Sequence, residues 1–197
     1  MKLNIQFDEQ KIVDGLQPYN EHWVPYNAKK DVVNNRWGLP ITSNSGKVSD
    51  NMHLNSFGYM RESLGIELTE DNFNTPTEVY HNCDEIKRLV DIFSPDIGRV
   101  HMLRVDQGGF FPPHRDFKGI APEYFRLTCV LGSCTDFNYV LNIDDKQFRH
   151  ERGHLYFVNY QKNHNLFSFS NNLYIMILTV KLNQRTHDLV IHHSMSR

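Results

Sequence analysis

The spacing of apolar residues along the chain changes character near residue 98. Before that point the periodicity is helical where it is clear at all. Ile12, Val13 and Leu16 predict a short helix near residues 8–17, stopped by Pro18. Ile86, Leu89, Val90 and Phe93 fall at i, i+3, i+4 and i+7 and predict a helix over 83–93, with Asn82 and Glu85 as a capping box and Pro95 beyond its end. Between these, residues 36–57 are rich in Asn, Ser and Gly and read as loops around one strand, Trp37 to Thr42. After residue 98, short β-like runs follow at 99–106, 124–132, 137–143, 153–159, 165–170 and 173–182, separated by Gly, Asp, Asn and Pro. Helices first and then many short strands predict a mainly β protein, a jelly roll flanked by N-terminal helices. No repeat or linker divides the chain, so 1–197 reads as one domain: a helical and loop buttress (1–98), a jelly-roll core (99–182) and a mobile tail (183–197) that holds His192 and His193.

Composition supports a folded chain with its own core. Of 197 residues, 40% are hydrophobic and 12% aromatic, which argues against disorder. The net charge is −2, with no basic stripe, so nothing points to nucleic acid as a partner. The longest apolar run, Leu173 to Val180, is far short of the roughly 20 residues that span a bilayer. The start lacks a secretory pattern, and Cys83, Cys129 and Cys134 form neither a metal nor a disulfide spacing. Both features predict a cytoplasmic protein.

Eleven histidines direct attention to metal chemistry. In Gly108-Gly109-Phe-Phe-Pro-Pro-His114-Arg-Asp116, the His and Asp stand two apart on an extended segment. Alternation points both to one side. With one His from a later strand they make a facial set of three that leaves the far side of a metal open, as in non-haem Fe(II) oxygenases. His164, at the opening of the strand 165–170, is the natural third member, and His154 and His150 are its rivals. Arg126 and Thr128 share a strand face opposite Leu127, Cys129 and Leu131, so they can face a pocket together. His22, His53, His81 and His101 show no partner spacing, and Trp37 reads as core.

Four pieces in order, RVHMLRVDQGGFFPPHRD, FRLTCVL, ERGHLYFVN and NHNLFSFSNNLYIMILTV, with the early WGLPIT, resemble the 2-oxoglutarate-dependent oxygenases of the aspartyl/asparaginyl β-hydroxylase type, a group that includes free-proline hydroxylases. The resemblance implies a double-stranded β-helix (cupin-like), Fe(II) on His114, Asp116 and His164, and 2-oxoglutarate as cosubstrate, with O2 and a small-molecule or peptidyl substrate. It matches Arg126 to an arginine that pairs with a 2-oxoglutarate carboxylate. It also implies an arginine about ten positions past the second His, where this chain has Tyr174. The expected clamp is then Arg126 with Thr128 and Tyr174 as neutral donors, or Arg104 or Lys181 in its place. Two alternatives stand beside this reading: a cupin-like metalloenzyme that does not use 2-oxoglutarate, and a noncatalytic jelly roll that binds a small ligand.

Overall fold

The computed structural model describes residues 1–26, 35–116, 123–132 and 134–195. In chain order the elements are β1 (Lys2–Gln6), α1 (Glu9–Leu16), β2 (Val24–Pro25), β3 (Arg36–Pro40), β4 (Thr42–Ser43), α2 (Phe57–Leu64), β5 (Thr75–Pro76), α3 (Glu78–Asn82) and α4 (Asp84–Asp91). The strand-rich part follows: β6 (Ile97–Val105), β7 (Phe110–His114), β8 (Tyr124–Leu131), β9 (Tyr139–Ile143), β10 (Lys146–Phe148), β11 (His154–Val158), β12 (His164–Ser168) and β13 (Leu173–Lys181), closed by α5 (Gln184–Met195).

The eight strands β6 to β13 divide between two antiparallel sheets, ordered β11-β8-β13-β6 and β10-β9-β12-β7. Apart from the β9–β10 hairpin, successive strands alternate between the sheets, and the first strand pairs with the last. That is the jelly-roll, or double-stranded β-helix, order. The period-2 pattern of β13 fixes which layer each residue joins. Leu173, Ile175 and Ile177 enter the core between the sheets, with Leu103, Val105, Val130, Tyr139, Leu141 and Leu166. Met176, Leu178 and Val180 enter a second core beneath the helices, with Ile12, Leu16, Ile86, Leu89 and Phe93. Both faces of this sheet are therefore covered, and its strands read as continuous apolar runs.

Three expectations change. The first 98 residues do more than buttress, because β1 joins one edge of the larger sheet and β3 and β2 extend the other. The alternation Leu3, Ile5, Phe7 carried that signal, and all three are buried. The helix expected over 83–93 is α4, which begins after Cys83 with no side-chain cap. Glu85 instead accepts the Asp8 backbone N–H at 2.9 Å and pairs with Arg88, while Asn82 donates to the Tyr19 hydroxyl. Tertiary partners have displaced the local capping box. The expected tail is α5, whose Thr186 and Val190 are buried.

Candidate metal centre

The turn after β6 sets up the site. Gly108 adopts φ +77°, a left-handed conformation suited to glycine, and its N–H bonds Ser168 O at 2.9 Å. Gly109 has no room for a Cβ, which would lie 2.7 Å from Asn35 O and 2.8 Å from Asp106 O. The chain reverses tightly there and runs out along β7 beside β12. In that register His114 stands directly opposite His164, with ring centroids 4.1 Å apart. Asp116 lies past the end of β7, where its N–H bonds Tyr160 O at 2.9 Å.

His114, Asp116 and His164 come together, each offering a ligand atom within 4.8 Å of the others. Asp116 Oδ1 is 3.5 Å from His114 Nε2, and its Oδ2 is 3.9 Å from His164 Nε2. The Nδ1 atom of His114 lies 2.7 Å from Pro112 O, and that of His164 lies 2.9 Å from Lys162 O. A carbonyl can only accept, so each ring donates from Nδ1 and turns the Nε2 lone pair toward Asp116. Burial pushes the His164 pKa down, which keeps that ring neutral. Two imidazoles and one carboxylate on a common side are a donor set that fits a divalent transition metal with open positions.

The rival histidines are elsewhere. His154 points to solvent on β11 beside Gln6. His150 is buried against Phe148 and Tyr156, within hydrogen-bonding distance of Thr128 and Tyr139, and burial holds its pKa down to about 3.

The three ligands line a cavity of about 510 Å³ between the sheets. Leu103, Leu141, Leu166, Ile175 and Ile177 form its apolar walls, and Arg126 and Tyr160 stand beside the ligands. Burial raises the Tyr160 pKa to about 12, so its hydroxyl stays protonated and donates to Thr128 Oγ1 at 3.4 Å. Arg126 ion-pairs with Asp116 Oδ2. Burial opposes its charge, but the Asp116 and Glu70 carboxylates raise its pKa overall. The far end is lined by Asn55, Ser56, Phe57, Gly58 and Arg61, where the loops expected over 36–57 give way to α2. Arg99 fastens that end. It grips Glu70 with two 2.7 Å bonds, donates to Asn55 O, and lies 4.0 Å over the Phe57 ring.

The expected clamp is corrected in part. Arg126 faces the cavity. Thr128 is buried behind Tyr160 and does not line it. Tyr174 points the other way, against Trp23 on the helix side, because β13 turns Ile175 and Ile177 inward. Arg104 shares that outer face, 5.4 Å from both the Trp23 and Trp37 rings. Trp37 is half-buried at the edge of the helix-side core and donates to Asp106. Lys181 is exposed and pairs with Asp71.

No protein-family model matches this chain, and no curated protein matches it. No helix among the described residues is long and apolar enough to cross a membrane. Among solved structures the chain is similar to a predicted oxalate decarboxylase from Thermotoga maritima, at 12% identity and a TM-score of 0.34, over 44% of this chain and 69% of that one. It is also similar to KdgF from Halomonas sp., at 12% and 0.34, over 47% and 77%. An RmlC-like cupin protein from Desulfovibrio desulfuricans matches at 14% and 0.33, over 44% and 74%. At these values the strand order itself carries the fold: a jelly roll with a His/Asp/His cluster inside its cavity.

Proposed function

We propose that this chain is an Fe(II)- and 2-oxoglutarate-dependent oxygenase that hydroxylates an unactivated C–H of an amino acid, a peptidyl residue or a small metabolite. The observation that supports it best is the convergence of His114, Asp116 and His164 on one side of a cavity that also contains Arg126. When bound, Fe(II) supplies open positions for dioxygen chemistry, and 2-oxoglutarate supplies two of the four electrons needed to reduce O2 fully. The protein's own part is positional. His114 and His164 present Nε2 atoms, and Asp116 presents one carboxylate oxygen while Arg126 holds the other. The Arg126 guanidinium is planar and permanently charged, suited to a ligand carboxylate that reaches the same wall. The apolar walls exclude water and orient one C–H toward the metal.

A second reading uses the same three ligands without 2-oxoglutarate. It is favoured by the inward face of β13, where Ile175 and Ile177 stand near the level at which the resemblance asks for an arginine, and by the engagement of Arg126 with Asp116. Anaerobic Fe(II) titration with and without 2-oxoglutarate separates the two. A weak visible metal-to-ligand band that needs both components supports the first reading. Metal binding with no band and no succinate on aeration supports the second.

A further inference from the structure

Among the described residues, the outer face of the smaller sheet carries an apolar row where a solvated sheet is expected to be polar. Across its strands one row consists of Val140, Phe167 and Phe110, paired in register. The neighbouring row consists of Gln147, Asn142 and Asn165, with the two Asn side chains bonded at 3.1 Å. Phe110, Phe167 and Phe169 are 39%, 41% and 46% exposed, and Phe137, in the turn leading into β9, is 90% exposed. The Phe167 and Phe169 rings lie 5.0 Å apart. None of the residues in the two rows is charged, in a protein that is 22% Asp, Glu, Lys and Arg.

We propose that this face is the interface between two copies of the chain, packed sheet against sheet about a two-fold axis. A two-fold contact sets the same patch against itself, so it must be self-complementary. The two rows meet their copy without like-charge repulsion, with Asp136, which accepts from Gln147 at 2.8 Å and pairs with Arg149, at their rim, and amide side chains donate and accept in either direction. Nothing in the two rows would select a foreign partner by charge. Phe110, Phe167 and Phe169 leave on the order of 250 Å² of surface open, about half the apolar share of a standard interface of about 800 Å² per partner, and Val140 and the amide row extend the patch. Association goes through the face and not the edges, because β7 carries Pro112 and Pro113, which have no N–H to donate to an added strand, and the other edge strand, β10, is only three residues long and carries Lys146. The proposal is independent of the metal and of any cosubstrate.

Sedimentation of the full chain, free of added metal, tests it. The expected result is a species of twice 23.2 kDa at tens of micromolar. Phe167→Lys, which brings two cations together across the axis, should shift it to monomer with unchanged circular dichroism. Should that variant misfold, hydrogen exchange of the wild type decides: residues 165–169 should exchange several-fold more slowly in concentrated than in dilute solution. A wild-type chain that stays monomeric up to roughly 100 μM, a dimer that persists in a folded Phe167→Lys variant, or exchange at 165–169 that ignores concentration would each overturn the proposal. A monomer that captures a different protein on this face would also overturn it.

Discussion

At the scale of single residues, the three ligands contribute differently to folding. The His114 side chain is about a third exposed, so His114→Ala should abolish Fe(II) binding, read by calorimetry, and leave the melting temperature nearly unchanged. Asp116 also neutralises Arg126, so Asp116→Ala should lose both the metal and stability, because a buried cation is left without its carboxylate. Arg126→Ala removes the charge proposed for the cosubstrate. Loss of a buried charged partner costs about 3–5 kcal/mol, so 2-oxoglutarate affinity should fall on the order of a hundredfold or more. Iron affinity should fall less, roughly tenfold, through the loosened Asp116. Tyr174→Phe, on the opposite face, should change neither; a loss of 2-oxoglutarate binding there would contradict the side-chain orientation. His150 gives the pH signature. Its folded pKa, near 3, lies below the unfolded value of 6.5. Between those values the unfolded chain binds a proton that the native chain refuses, so stability is complete above pH 6.5 and falls with acidification at about 1.4 kcal/mol per pH unit. Urea unfolding of His150→Gln should show a shallower acid slope, by about one proton.

At the scale of elements, the legible part was the strand run and the H-x-D segment. The illegible part was what a neighbouring strand does to each face. Alternation placed Arg126 opposite Leu127, Cys129 and Leu131, and the structure keeps that grouping. The same alternation on β13 decides against Tyr174, but only register with β8 and β6 tells which face is inward. The Arg99 fastening at the far end of the cavity was equally invisible. Arg99 and Glu70 are 29 residues apart and nearly fully buried as a pair. Glu70→Ala should cost about 3–5 kcal/mol by leaving Arg99 uncompensated. Glu70→Met with Arg99→Met should cost well below the sum of the two single changes, since no lone charge remains. Equal additive losses in chemical denaturation would mean that the pair is not coupled.

At the scale of the whole molecule, the two ends of the chain meet on the jelly roll. β1 pairs with β11, and α5 packs against β1. Leu3 is fully buried there, so Leu3→Ala should cost about 2–5 kcal/mol despite its place near the N-terminus. A loss below about 0.5 kcal/mol would show that β1 is not part of the cooperative unit. The sequence alone determined the strand run after residue 98 and the H-x-D segment after a Gly-Gly turn, and it offered His164 beside its rivals. The first two are local patterns, and local patterns follow from backbone geometry with a fixed period; pairing His164 with His114 needed the register of β12 on β7. Tertiary structure alone decided that β1 and β3 extend the sheet, that Asn82 and Glu85 leave their capping box for distant partners, that residues 184–195 are a packed helix, and that Tyr174 faces away from the cavity. Those outcomes depend on contacts between residues far apart in the chain, where burial and pairing outweigh the tenths of a kcal/mol that distinguish local preferences.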